Sequence, residues 1–269
     1  MIANMITNSV ANEMGDNLLP IDLGTGRSAV KVVGGLDFTC ALLDNSSVKC
    51  WGRNQRGQLG NDSSVSLGDG VNEMGNNLLA VNIGAGRTAL DIVALYESVC
   101  VRRDNATMIC WGRNNFGQLG IGSTGGANSS IGDAAGEMSA IASINLGAGF
   151  GTLAKIYSNG RGACAEDTLN VVKCWGYNVF GQVLLGTAAN VLSPQAAAAS
   201  FGTGLIVSKW SSSQDTTCVL FTNSRIKCFG RARTGTAGVV NGVLLNGSVE
   251  NSLGDTAGEL GDSLPYVNH

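Results

Sequence analysis

The sequence predicts an all-β protein made of repeats, and three observations carry that expectation. A unit of Cys, nine residues, Cys, an aromatic and Gly recurs four times; Gly numbers 39 and Pro only 3 in 269 residues; and short alternating apolar runs lie between turn-forming residues. The copies are Cys40/Cys50 before Trp51-Gly52, Cys100/Cys110 before Trp111-Gly112, Cys164/Cys174 before Trp175-Gly176, and Cys218/Cys228 before Phe229-Gly230. They use all eight cysteines, and their first members step by 60, 64 and 54 residues. A core kept while its spacers vary is the mark of a repeat array. We place the repeats at about 13–72, 73–136, 137–200 and 201–258, with a partial fifth at 259–269 in one single array.

Within a unit, Ala29 to Val33 (AVKVV) alternates apolar and polar side chains, the period of a half-buried strand. Thr39 to Leu43 and Val48 to Trp51 form the next two strands, joined by the turn residues Asp44-Asn45-Ser46. A hairpin with an odd loop centred on Asn45 sets Cys40 directly across from Cys50, within reach of a disulfide. Reduced packing cysteines and zinc ligands are the alternatives. Zinc favours two to four residues between paired ligands, so nine across a hairpin fit a disulfide better. Trp51 follows its cysteine and points to the other face of the strand. Trp51, Trp111, Trp175 and Phe229 therefore read as core that fills the gap between neighbouring units, ahead of a ligand platform. The pairs Gly24/Gly26, Gly84/Gly86 and Gly147/Gly149 read as turn glycines, since the third glycine and following helix of a dinucleotide fingerprint are missing.

The runs GGLDFTCALLDNSSVKCWGRNQRGQLG and CVRRDNATMICWGRNNFGQLG resemble the repeat of the regulator of chromosome condensation family. The likeness covers nearly the whole chain, weakening to WGYNVFGQV in the third copy and CFGRARTG in the fourth. It implies a β-propeller, usually of seven four-stranded blades, of which this chain would hold four full repeats and part of a fifth, in a seven-bladed or open array. The family's histidine two residues before the first cysteine is replaced by Phe38, Ser98, Gly162 and Thr216. The paired cysteines resemble the repetitive, often secreted or surface branch of the family. Both ends carry the same part of the repeat, EMGDNLLPIDLG and ELGDSLPYVN, which suggests an open arc that self-associates or is completed by further repeats.

Chemistry is scarce. The one histidine is His269, so neither a Ser-His-Asp triad nor a multi-histidine metal site can be built. No phosphate loop or nucleophile elbow is present, and no cofactor or metal is expected. Asp69/Glu73, Asp133/Glu137 and Asp255/Glu259 share an Asp-x-x-x-Glu spacing; two carboxylates are too few for calcium, and a polar turn is the favoured reading. A net charge of −3 and pI near 5.2 speak against nucleic acid as a partner. Arg102-Arg103 and Arg231/Arg233 read as solvated side chains, and no run is long enough for a membrane span. Of the Asn-x-Ser/Thr sites at Asn45, Asn61, Asn105, Asn128 and Asn246, Asn45 and Asn105 stand at hairpin tips, where glycosylation would find them.

The expected function is a non-enzymatic propeller that binds a protein partner or serves as structure, outside the cell or at its surface, with loops such as Gly125–Ser130 and Pro194–Ser200 on display. Reduced cysteines would instead indicate a cytoplasmic home. The resemblance also implies two alternatives: guanine-nucleotide exchange on a small GTPase, as in the family founder, and inhibition of an enzyme by the propeller face. The founder's wedge hairpin and basic tail are not visible here.

Overall fold

A three-residue loop between the paired cysteines sets the geometry of every unit. In the first, Leu43 donates its N–H to Ser47 O and Ser46 donates back to Leu43 O, both at 2.9 Å, with Ser46 left-handed at φ 62°. Ala106, Asn170 and Ser224 occupy the same place at φ 57°, 66° and 64°, so all four hairpins share one loop type. Counting back from that closure, each cysteine pair falls at a position without ladder hydrogen bonds, where antiparallel Cα atoms come closest. Cys40 faces Cys50, Cys100 faces Cys110, Cys164 faces Cys174 and Cys218 faces Cys228, each 4.1 Å apart at Cα and joined as a disulfide.

These hairpins belong to four antiparallel sheets in the computed structural model of the chain, which describes residues 15–124, 130–194, 197–231 and 252–267. Glu13-Met14, Asn128, Arg233, Asn246 and His269, with residues 125–129 and 195–196 of the two display loops, lie outside the described residues. Blade 1 holds β1 (Ala29–Gly34), β2 (Phe38–Leu43) and β3 (Val48–Gly52). Blade 2 holds β4 (Ala89–Ala94), β5 (Ser98–Arg103), β6 (Met108–Arg113) and β7 (Ser130–Ile131). Blade 3 holds β8 (Leu153–Ser158), β9 (Gly162–Asp167) and β10 (Val172–Gly176). Blade 4 holds β11 (Val207–Ser212), β12 (Thr216–Phe221), β13 (Ile226–Arg231) and β14 (Ser252–Leu253). Strand order follows the chain in every sheet. The outermost strand is vestigial: two residues in blades 2 and 4, and single bridges from Gly52 to Leu67 and Gly176 to Val191 in blades 1 and 3. The fold is thus four propeller-type blades.

One short helix, α1 (Glu137–Ala140), interrupts the β pattern. The first turn of the linker elsewhere uses a left-handed glycine, Gly75 at φ 66° and Gly261 at φ 59°. The third copy has Ser139 there, which disfavours that conformation, and a four-residue α-turn replaces the single 3-10 turns of Gly75–Asn77 and Gly261–Ser263.

The core lies between blades. A three-stranded sheet has two faces, and each junction buries one face from each neighbour in its own cluster. Trp111 packs with Cys40, Leu42, Val48, Cys50 and Leu59 of blade 1; Trp175 packs with Cys100, Met108, Cys110 and Leu119 of blade 2; Phe229 packs with Cys164, Val172 and Cys174 of blade 3. Trp111 and Trp175 are fully buried, and their indole N–H groups donate to Gln58 O and Gln118 O, both at 3.1 Å. The disulfides of blades 1 to 3 therefore floor the sockets that receive the next blade's aromatic ring.

Trp51 corrects the expectation that all four aromatics fill such a gap. It is half-buried, because among the described residues no blade precedes the first. The same cause corrects the half-buried reading of β1: Val32 is 59% exposed, whereas Ile92, at its position in blade 2, is buried. Trp111→Ala is accordingly expected to cost about 3–5 kcal/mol, and Trp51→Ala about 1 kcal/mol, since much of its burial is missing. Chemical denaturation of the two variants checks the difference.

The third junction shows why its ring is phenylalanine. Gly60 and Gly120 lie beneath the indoles of Trp111 and Trp175, where an added Cβ would meet the indole nitrogen at 2.7 and 2.6 Å. The corresponding residue in the third copy is Leu184, held left-handed at φ 53° and buried against blade 4. Its side chain takes the room an indole would need, so leucine below and tryptophan above exclude one another. Phe229→Trp alone should destabilise by about 1–3 kcal/mol through overpacking. Combining it with Leu184→Gly should recover most of that loss, giving a coupling of about 1–3 kcal/mol in a double-mutant cycle.

Candidate interaction face

Two sets of loops meet at one end of the blades: the turns between the first and second strands, and the segments that leave the third strand. The departing segment is rigid because of its asparagine. Asn54, Asn114 and Asn178 are buried; each accepts the N–H of the residue five on, Leu59, Leu119 and Val183, at 2.9–3.0 Å. Their amide groups donate to later loop carbonyls, Ser63 O, Ser123 O and Thr187 O among them. Gln58, Gln118 and Gln182 each accept the N–H two residues before them. The WGRNxxGQLG run is thus a self-bonded loop whose last carbonyls meet the next blade's indole.

On this frame an acid from the inner turn faces the arginine after the aromatic-Gly pair. Asp37 meets Arg53 at 3.6 Å, Glu97 pairs with Arg113, and Asp215 meets Arg231 at 3.7 Å. Blade 3 departs from the rule. Arg161 stands at the acid's place and Tyr177 at the arginine's, with the guanidinium 5.2 Å from the Tyr177 ring centroid. Arg161 also lies 5.0 Å from the Tyr96 ring of blade 2 and 3.4 Å from Asp215 of blade 4. Around it, Phe116 and Tyr177 centroids are 4.8 Å apart, Tyr177 and Phe180 6.1 Å, and Arg231 sits 4.5 Å over Phe180. Tyr96, Phe116, Arg161, Tyr177, Phe180 and Arg231 are all half-exposed. A continuous aromatic and guanidinium band crosses blades 2 to 4.

The structure places the other candidate residues elsewhere. The cysteines and Trp111, Trp175 and Phe229 lie in the junctions. Asn45 and Asn105 sit exposed at hairpin tips, the opposite end of the second strand from the band. There Ser47 and Thr107 donate their hydroxyls to the asparagine Oδ1 at 2.8 and 2.6 Å. In the Asp-x-x-x-Glu loops the glutamate does the bonding: Glu73 accepts from Gly68 and Gly70 N–H, Glu137 from Gly132, Asp133 and Ala134, and Glu259 from Gly254 and Thr256. Among the described residues no cluster of three such ligands is poised for a metal. Ser98 and Thr216, at the family histidine's position, donate to Arg113 O and Arg231 O at 2.6 and 2.7 Å.

Arg103 corrects the solvated reading: it is buried and donates to Ile83 O, Thr107 Oγ1 and Ser143 Oγ. It replaces a device the motif reading passed over. Lys49, Lys173 and Lys227, each just before a second cysteine, are buried and donate to linker carbonyls, Leu23 and Gly75, Leu146 and Ala148, Phe201 and Gly261. Blade 2 has Ile109 at that position. The recurring Val-Lys-Cys-Trp run was the signal. Arg231 likewise stacks on Phe180 and is not a free cation.

The inner strands line an axial groove of about 330 Å³ that includes Lys31, Val93, Tyr157 and Trp210. Its polar groups satisfy one another: Lys31 meets Asp91 at 2.6 Å, and buried Glu166 accepts from Lys155 at 2.8 Å and from Tyr157. Burial and the Glu166 carboxylate raise the Tyr157 pKa, so the phenol keeps its proton. Trp210 stacks on Tyr157 at 4.8 Å and donates to Ser158 O at 2.6 Å. The charged groups along the groove are thus already paired within the fold.

Residues 29–58 match the family model described as the regulator of chromosome condensation (RCC1) repeat. Among solved structures, yeast RCC1 (Prp20) with Kap60 bound aligns at TM-score 0.56 and 17% identity over 77% of this chain and 42% of that one. Prp20p from Saccharomyces cerevisiae, described with its binding properties to Gsp1p and histones, aligns at 0.58 and 16% over 77% and 44%. The chain spans less than half the length of either match, and such identities establish a shared fold.

Two carboxylates tie the linkers to pH. The N–H groups of Gly70 and Gly68 hold Glu73 below the usual carboxylate range, and the Thr203 N–H and hydroxyl do the same for Asp262. Stability from both is complete above the unfolded value of about 4 and is lost as pH falls through the depressed folded values. Thermal midpoints should therefore drop below about pH 4, and Glu73→Gln should flatten that acid limb.

Proposed function

We propose that this chain, built of regulator of chromosome condensation repeats, is a non-enzymatic binding module that engages a protein partner through the aromatic and arginine band of blades 2 to 4. The single observation behind this reading is the exchange in blade 3, where Arg161 and Tyr177 replace an acid and an arginine and draw Tyr96, Phe116 and Phe180 into one patch. Tyrosine, phenylalanine and arginine are the residues that protein interfaces enrich, and tyrosine and arginine dominate their binding energy. Rings with few rotatable bonds, stacked before contact, lose little entropy on binding.

An extracellular or surface setting fits the same reading. Four disulfides persist in oxidising compartments, and glycans on Asn45 and Asn105 would stand at the end of the blades away from the band. No helix among the described residues is long and apolar enough to cross a membrane. The fold matches include a protein described with its binding to Gsp1p and histones. Exchange on a GTPase is the second reading; a net charge of −3 lends it less support, since the nucleic acid of a chromatin partner calls for clustered cations.

Cross-linking mass spectrometry on partner captured from the native source tests the proposal. Cross-links are expected around Tyr96, Arg161 and Phe180, and Arg161→Glu or Tyr177→Ala should abolish capture while shifting stability by less than about 1 kcal/mol. Cross-links confined to the Asn45 and Asn105 end, or capture unchanged by both variants, would overturn it. A fluorescent-nucleotide release assay should show no acceleration; catalysed release would promote the second reading.

A further inference from the structure

In blades 1 and 2 the acid of the inner turn and the arginine after the aromatic-Gly pair stand one to one. Asp37 serves Arg53, and Glu97 serves Arg113. Blades 3 and 4 share one acid between two arginines: Asp215 lies 3.4 Å from Arg161 Nε and 3.7 Å from Arg231 Nη1. Both contacts are longer than a charge-assisted hydrogen bond of about 2.8 Å. The Asp215 Oδ1 atom, itself buried, accepts no hydrogen bond from a described residue. Asp215 therefore balances the two guanidinium groups only in part.

The other polar neighbour of Arg161 adds no charge. The Gln214 side-chain oxygen accepts from Arg161 Nε and Nη2, and among the described residues nothing hydrogen-bonds Nη1. Over the inner turns and departing segments of blades 2 to 4, at 95–97, 113–124, 159–161, 177–194, 213–215 and 231, three arginines meet two carboxylates and no lysine. In a chain of net charge −3, this end is one carboxylate short. Arg161 is also withdrawn from water: its side chain is 24% exposed and lies over the rings of Tyr96 and Tyr177. Stacking fixes the planar cation before contact, so an incoming anion orders less on binding. Partial burial weakens the screening of that charge by salt.

We infer that the band recognises a carboxylate of its protein partner, an aspartate or glutamate flanked by apolar side chains. The carboxylate takes the Nη1 edge of Arg161, and its apolar neighbours lie on Phe116, Tyr177 and Phe180. This rests on the band being the interface and names the chemistry recognised there. Charge complementarity selects the occupant, since one missing negative charge matches one carboxylate. A phosphate brings close to two charges, and no lysine stands in these segments to meet the second.

Random peptides displayed on phage and selected on the whole chain are the probe. Selected sequences should be enriched in Asp or Glu beside apolar residues. A double-mutant cycle then pairs one synthetic selected peptide, and its form with the acid replaced by the matching amide, with wild-type protein and with Arg161→Gln. Removing either partner should weaken binding about tenfold or more, and removing the second after the first should change it less than about twofold. Arg161→Glu with Tyr177→Arg restores the acid and arginine order of the other blades, so it should fold as they do and lose the peptide. It replaces Arg161→Gln if thermal melting shows that the single variant does not fold. Selected peptides that carry no acid yet lose binding to Tyr177→Ala would overturn this inference and leave the band as the interface. Losses that add in full across the cycle, or a selection that enriches no acidic sequence, would also overturn it. Acidic peptides indifferent to both Arg161→Gln and Tyr177→Ala would count against the band itself.

Discussion

The contact between an aromatic ring of one blade and the disulfide floor of the blade before it holds the array together. Trp111 is buried against Cys40 and Cys50, and its N–H is met by Gln58 O. A three-stranded sheet cannot bury both faces alone, so each blade depends on its neighbours, and stability is distributed over the junctions. The disulfide enters twice: it staples the hairpin by limiting the unfolded chain, and it presents a flat apolar surface to the incoming ring. Where the ring changes, the floor changes with it, as Leu184 and Phe229 show.

This arrangement frees the loops. Asn54, Asn114 and Asn178 bond each departing turn to itself and its Gln-Leu or Gln-Val pair serves the junction, so the remaining exposed positions at this end are free to vary. Blade 3 uses that freedom to place an arginine among tyrosines, while blades 1, 2 and 4 keep an acid and arginine pair. The buried lysines act the same way for the linkers, gathering carbonyls that no strand can reach. A buried ammonium is costly unless its donors are met, and here two backbone oxygens meet each one.

Much of this was legible in the chain. Nine residues between cysteines, with turn formers in the middle, allow one hairpin register, because strand pairing repeats every second residue. The alternation of β1 and the aromatic after each second cysteine marked a face and its opposite. The repeated Lys before Cys174 and Cys228 was also in plain view, but a charged residue in an apolar strand reads as solvated until the carbonyls it faces are known. Arg103 was misread for that reason.

By itself the sequence determined the all-β repeat, the hairpin pairing of eight cysteines and the inter-blade role of Trp111, Trp175 and Phe229, since these depend on local spacing and strand periodicity. Tertiary structure alone decided that Trp51 is half-exposed, that Leu184 replaces a glycine because Phe229 replaces a tryptophan, and that Tyr96, Arg161 and Phe180 meet. Those facts join residues from different blades, and their distances are set by how sheets stack. Local spacing holds no record of that.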